Sequence, residues 1–138
     1  MKPRLSHSPI VGLLLLGFAT SLFAQGRPQQ HRVPKEFSYP EASETVQIAL
    51  SAKSLAGVVR VPNGEVLADA LVERVSANGK KRLDATFTDS QGKFHLSALP
   101  DGKYFLKVSK SGFSTLKVEV RVKKKAKSLM DLALPLGI

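Results

Sequence analysis

The sequence predicts an all-β fold, a sandwich or a barrel of seven strands, on three observations. From Val46 onward, short apolar runs and turn signals alternate about every 8 to 12 residues, a spacing typical of β-sandwiches and barrels. Residues 116–123 alternate between apolar and charged side chains, as in a strand with one buried face. No stretch has the period of a good helix, which disfavours a βαβ architecture.

The strands are placed by the turns between them. The hairpin signal at Asn78 and Gly79 separates two strands, and Pro135 suits the end of the last one. The run VQIAL at 46–50 fits either an extra edge strand or a helical turn, and the sequence leaves both open. The seven predicted strands cover residues 54–60, 70–75, 82–88, 93–97, 103–109, 115–123 and 128–136.

Three glycines at regular spacing, Gly92, Gly102 and Gly112, are each followed within two residues by an aromatic residue. We interpret them as corners of the fold. Asp89 is expected to accept hydrogen bonds from its own turn, and Phe94 then enters the core. Tyr104 should likewise enter the core after the next turn, with its hydroxyl bound to a backbone carbonyl. The predicted structural turn residues are Gly64, Asp89, Gly92, Pro100, Gly102 and Gly112.

The N-terminus has the layout of a secretory signal peptide. Lys2 and Arg4 precede an apolar run over 10–18, and small residues lead to a cleavage site near Ala24. We therefore predict a signal peptide at 1–24, a disordered linker at 25–45 and the folded domain at 46–138. The chain would be exported, periplasmic or secreted, and not transmembrane after cleavage. An uncleaved anchor is the alternative, although the apolar run is short of the roughly 20 residues that span a bilayer.

The linker is rich in Gln, Pro and charge, with no periodicity, so it is expected to stay flexible. Phe37 and Tyr39 are its large apolar residues. They are either a short docking motif or, as the composition favours, sporadic aromatics in a disordered arm.

Composition excludes several functions. The chain has no Cys, which rules out disulfides, thiol catalysis and thiolate metal sites. Removal of Lys2 and Arg4 with the signal peptide lowers the formal net charge from +10 to about +8. Such a charge attracts polyanions and anionic surfaces, whereas nucleic-acid recognition normally adds stacking aromatics or a groove-reading helix. We predict no nucleic-acid partner.

No metal site or catalytic set emerges from the spacing. Asp89 and Asp101 suggest a calcium loop, but Lys93 follows Asp89 closely and the alternating oxygen ligands are missing, so turn capping is favoured. His31 falls in the linker and His95 is expected to face solvent. We predict no cofactor, no metal and no enzymatic activity.

Basic residues cluster near two predicted hairpin corners. They form either a patch for phosphate or acidic glycans, or solvated lysines that protect strand edges, which is the commoner role. The members are Lys80, Lys81, Arg82, Lys123, Lys124, Lys125 and Lys127.

The ordered set of motifs resembles the carboxypeptidase regulatory-like domains, transthyretin-like β-sandwiches of the carbohydrate-binding-like fold superfamily. The motifs are the Gly57–Val59 opening, Thr-Asp-x-x-Gly-x-Phe at 88–94, Leu-Pro-x-Gly-x-Tyr at 99–104 and Gly-Phe at 112–113. The resemblance implies a seven-stranded antiparallel Greek-key sandwich without catalytic residues. The metallopeptidase domain for which the family is named is absent from this sequence.

Two functions follow as hypotheses. The first is a non-catalytic binding or structural module with an unknown protein or glycan partner in the cell envelope. The second is a carbohydrate-binding module, for which Phe105 is the best candidate contact because its side chain should point away from that of Tyr104. Attachment of the basic residues to an anionic surface remains a further possibility.

Overall fold

The computed structural model describes residues 33–42 and 44–137. These residues contain eight strands and no helix, which confirms the all-β prediction. Within this part of the chain, no helix is long and apolar enough to cross a membrane. The predicted signal peptide and residues 25–32 lie outside the described residues. The strands are β1 (Thr45–Ala52), β2 (Ala56–Arg60), β3 (Leu71–Val75), β4 (Arg82–Phe87), β5 (Lys93–His95), β6 (Gly102–Ser109), β7 (Thr115–Val122) and β8 (Met130–Ala133).

The strands form two sheets that pack as a sandwich. The larger sheet has the order β1-β7-β6-β3-β4 and the smaller one the order β5-β2-β8. Alternation along β7 sends every second side chain between the sheets, where they meet inward side chains from both layers. The buried core includes Val59, Val72, Phe94, Leu106, Val108, Leu116, Val118, Val120, Val122, Met130 and Leu132.

Strand number and direction differ from the expectation in two respects. The run at 46–50 belongs to an eighth strand, β1, which lies at the edge of the larger sheet. Two pairings, β1 with β7 and β2 with β8, are parallel, so the sheets are mixed rather than antiparallel throughout. An alternating pattern has the same period in either direction, and the sequence therefore does not encode which way an edge strand runs.

The segment before β1 also differs from a free linker. Residues 33–44, which we call the arm, lie against the outer face of the larger sheet where they are described. Phe37 packs edge-on against Phe87 at a centroid distance of 5.3 Å. Leu71 is fully buried although it lies outside the main core cluster, and its cross-strand partner Phe87 is the residue that Phe37 of the arm contacts.

One end of the sandwich is of particular interest and is called the basic end. It comprises the turn between β3 and β4, the start of β6 and the end of β7. The register joins these parts, since Val75 pairs with Phe105, and Gly102 pairs with Val122. Both predicted lysine clusters lie at this end.

Candidate functional site

The outer face of β6 and β7 carries a half-buried aromatic residue, Phe105. Leu106 and Val108 are buried between the sheets, so Phe105 and Lys107 face outward and are half-buried. Phe105 lies between Val75 of β3 and Glu119 of β7 in the register. The sequence therefore placed the Phe105 side chain on the correct face.

Phe105 lines an open groove of about 280 Å³. One wall is the turn between β3 and β4, residues 76–79, and the other comes from Gln47 of β1 with Lys117 and Glu119 of β7. The groove, called the Phe105 groove below, combines one aromatic ring with amide, carboxylate and ammonium groups. This mixture is typical of sites that bind small polar ligands.

Cations oppose each other across β6 and β7 on this face. Lys107 is paired with Lys117, and Lys103 is paired with Arg121. Like charges directly opposite in a sheet destabilise the pairing. Within the described residues, no carboxylate lies within 4.0 Å of either Lys107 or Lys117. The outer face of these two strands thus carries four cations and one acid, Glu119.

Arg82 fastens the arm to the sheet and does not belong to a free anion-binding patch. Its Nε donates to Glu73 Oε2 at 2.8 Å, and Glu73 is only 7% exposed. Its other nitrogens donate to the backbone carbonyls of Pro34 and Lys35 at 3.1 Å and to that of Phe37. All three nitrogens of the guanidinium therefore donate to Glu73 or to the arm.

Tyr39 anchors the arm at the opposite end of β3. Its hydroxyl donates to the backbone carbonyl of Asp69 at 2.6 Å. Asp69 has φ of 60°, a left-handed conformation that is uncommon for a residue with a side chain. Burial, and secondarily the nearby Asp69 carboxylate, raise the pKa of the Tyr39 phenol above its usual value.

A second pocket, of about 380 Å³, lies between the arm and the sheet. Its walls are Tyr39 and Glu41 of the arm with Ser109 and Thr115 of the sheet, and Lys107 lines it as well as the Phe105 groove. Lys107 therefore lies between the arm pocket and the Phe105 groove.

The remaining lysines of the predicted patch are exposed at the basic end. Lys80 and Lys81 follow Gly79, which lines the Phe105 groove. The backbone amide of Lys124 donates to Asp101 Oδ1 at 3.1 Å and leaves its side chain exposed. The exposed members are Lys80, Lys81, Lys123, Lys124, Lys125 and Lys127.

The turn before β5 is closed by hydrogen bonds to the Asp89 side chain. Asp89 Oδ1 accepts from the backbone amides of Gln91 at 2.8 Å and Lys93 at 2.9 Å. Gly92 has φ of 75°, and a Cβ there would lie 2.7 Å from the carbonyl oxygen of Val59. Glycine is therefore required at position 92 both by conformation and by packing.

The other predicted turn glycines divide into two groups. Gly64 and Gly112 have φ of 97° and 89°, so they also occupy the left-handed region. Gly102 does not, because it is already the first residue of β6. The Tyr104 hydroxyl donates to the carbonyl of Pro100 at 2.7 Å, which closes this turn by a side chain instead.

Metal-ligating groups do not converge in the described residues. No group of three His, Asp or Glu side chains suited to a metal ion occurs there. His95 is exposed on β5, and His31 lies outside the described residues.

Sequence reasoning missed Lys107, Lys117 and the Arg82 clamp, by which we mean the hydrogen bonds of Arg82 to Glu73 and to the arm. The alternation in β6 and β7 places both lysines on outward positions, but only the register shows that they face each other. The clamp had no sequence signal, since Arg82 lies 45 residues from Phe37 along the chain.

Taken together, the fold defines a two-layer β-sandwich domain with a polar groove on one outer face. A family model described as the carboxypeptidase regulatory-like domain matches residues 54–135, and the chain belongs to this family. The match begins after β1, so the arm and β1 lie outside it. Such domains are of a regulatory, non-catalytic type. A search of curated proteins found no match.

Proposed function

We propose that this chain is an exported, non-catalytic β-sandwich module that binds a partner in the cell envelope. The observation that carries the proposal is the Phe105 groove. It is open on the outer face of β6 and β7, and it includes the cation pair Lys107 and Lys117, a like-charge pairing that disfavours the sheet. Retention of an open polar groove and an unfavourable pair at one place supports selection for binding rather than for stability.

Site-specific crosslinking tests this proposal. A photoreactive amino acid replaces Phe105 in the full chain, and a control protein carries it at Leu136, which is 64% exposed at the opposite end of the sandwich. After irradiation of intact cells, we expect a discrete adduct from position 105 and none from position 136. Equal labelling from both positions would contradict a binding surface at the groove.

Export is supported by the basic start, the apolar run and the small residues near Ala24. Intact mass of the protein recovered from fractionated cells should correspond to a chain that begins near Gln25. A full-length mass in the cytoplasmic fraction would refute export.

Carbohydrate binding is the second candidate, and the composition of the groove favours it. The Phe105 ring offers an apolar surface, while Gln47, Asn78 and Glu119 offer hydrogen-bonding groups around it. A glycan array should show binding by the wild-type protein and loss of binding by Phe105→Ala. If the wild-type protein binds no glycan, this second function is eliminated and the crosslinking result still decides the first.

A further inference from the structure

We infer that the Phe105 groove selects an acidic saccharide, with a sugar ring against Phe105 and the acidic group held by Lys107 and Lys117. The inference rests on the second candidate function, carbohydrate binding, and assigns the class of glycan. The acidic group is a carboxylate or a sulfate ester, which share the negative charge that the lysines recognise.

Lys107 and Lys117 are direct cross-strand neighbours, so their Cβ atoms are separated by about 4.5–5.5 Å. Both side chains line the groove. Two ammonium groups on stems that begin this close together can contact the same anion, and an anion between them turns a repulsive pair into an attractive arrangement.

Within the described residues, no carboxylate neutralises this pair. Glu73 faces Lys107 from β3 in the register, but its carboxylate is bound to Arg82 at 2.8 Å. Glu119 is aligned with Phe105, one outward row away from the pair. Glu41 of the arm lines the second pocket together with Lys107. Within the described residues, none of these three acids comes within 4.0 Å of either ammonium group. The pair is therefore available to an external anion.

Phe105 lies between the row of Lys107 and Lys117 and the row of Lys103 and Arg121. A ligand on the ring thus has cations on both sides along the strands. A sugar that carries an acidic substituent matches this order of apolar surface and charge, whereas a neutral sugar leaves the like-charge repulsion in place.

The size of the groove limits the length of ligand that it can hold. The groove volume of about 280 Å³ is close to the lower limit of roughly 300 Å³ for small-molecule pockets, so it holds a short segment of a glycan. The turn that forms one wall continues into the exposed Lys80 and Lys81. A longer acidic polymer that leaves the groove across this wall meets further positive charge at the basic end.

The test measures binding of the full chain to two pairs of polymers, and the members of each pair differ in whether they carry acidic groups. The polymers are a polyuronate, the same polymer with its carboxylates reduced to alcohols, dextran sulfate and dextran, each followed by calorimetry at one fixed ionic strength. We expect binding to the polyuronate or to dextran sulfate, and weak or no binding to the two neutral polymers. The preferred charged polymer distinguishes a carboxylate from a sulfate ester.

Two double variants separate the groove from the overall charge. Lys107→Gln with Lys117→Gln removes the groove pair, and Lys123→Gln with Lys125→Gln removes the same charge from the exposed turn after β7. The groove variant should lose about tenfold in affinity and the control variant less than about threefold. The groove variant should also melt a few degrees higher than wild type, because a like-charge pair has been removed.

The outcomes that overturn the inference are distinct. Equal losses in the two double variants would show that the whole basic surface attracts polyanions, as it would an anionic membrane. Equal binding of neutral and acidic polymers would overturn acidic selectivity and leave carbohydrate binding intact. No binding of any polymer would overturn both, and the crosslinking experiment would still decide whether the groove binds another partner.

Discussion

Single residues in this domain have specific structural tasks, and the glycines show how different those tasks are. Gly92 and Gly64 both have positive φ, but a Cβ at Gly92 meets the Val59 carbonyl oxygen at 2.7 Å, while a Cβ at Gly64 meets nothing within 4 Å. Gly102 has ordinary φ, and a Cβ there meets Tyr104 no closer than 3.5 Å. Gly64 therefore reports on conformational strain alone, Gly92 on strain together with steric overlap, and Gly102 on neither.

Alanine substitution at the three glycines should therefore give a graded series. Gly64→Ala is expected to cost about 1–2 kcal/mol, the strain of a left-handed conformation alone. Gly92→Ala adds overlap with backbone and should cost about 2–4 kcal/mol. Gly102→Ala should leave stability within about 0.5 kcal/mol of wild type. Chemical denaturation measures all three, and a loss at Gly102 as large as that at Gly92 would contradict the geometry.

The two ion pairs of the described residues differ in burial, and so should their importance. Arg82→Ala leaves Glu73, which is 7% exposed, without its partner at 2.8 Å and frees the arm carbonyls. We expect a loss of about 2–4 kcal/mol in the free energy of unfolding. Arg60→Ala breaks an exposed pair with Asp131 at 3.2 Å and should cost at most about 1 kcal/mol. Comparable losses for both, measured in urea, would show that Arg82 does not clamp the arm.

At the scale of elements, the arm is held at two points by groups of different chemistry. Arg82 holds its first residues through charge-assisted hydrogen bonds to backbone carbonyls. Tyr39 holds its later part through the hydroxyl of a neutral phenol.

Alkaline pH should release the Tyr39 attachment. The pKa of the Tyr39 phenol is raised in the folded state, so its contribution to stability is complete below the ordinary value of 10.0 and is lost as pH rises through the folded pKa. Hydrogen exchange over residues 37–42 should increase above pH 10 in the wild-type protein, beyond the intrinsic rise in exchange. The control is Tyr39→Phe, which should show faster exchange already at pH 8 and no further step. A step of equal size in both proteins would exclude the Tyr39 phenol as its cause.

The elements also show what the sequence could and could not predict. The alternation of β7 and the turn glycines defined the strands and placed Phe94, Tyr104 and Phe105 on their correct faces. β1 was ambiguous because it lies at an edge, where only Ala52 among its eight residues is buried and the apolar pattern is weak. Docking of the arm depends on contacts between residues some 45 positions apart, such as Arg82 and Phe37, and local patterns do not contain them.

At the scale of the whole molecule, charge is distributed unevenly over the sandwich. The lysines at 80, 81 and 123–125 extend from the basic end, and the cation pairs of β6 and β7 lie on the adjoining outer face. An anionic surface or polymer would therefore be drawn towards the end that holds the Phe105 groove. The two features that the sequence offered separately, an outward Phe105 and a lysine patch, come together at this end, although Arg82 does not take part.

Stability of the whole domain should not depend on a metal ion. The chain has no Cys for cross-links, and the sandwich is held by a continuous apolar core between its two sheets. The carboxylates that suggested calcium are used by the backbone, since Asp89 accepts two amide hydrogen bonds and Asp101 accepts one from Lys124. Thermal unfolding with and without excess EDTA should therefore give the same Tm, with added calcium as the reciprocal control. A fall in Tm on chelation that calcium restores would show that these turns hold an ion.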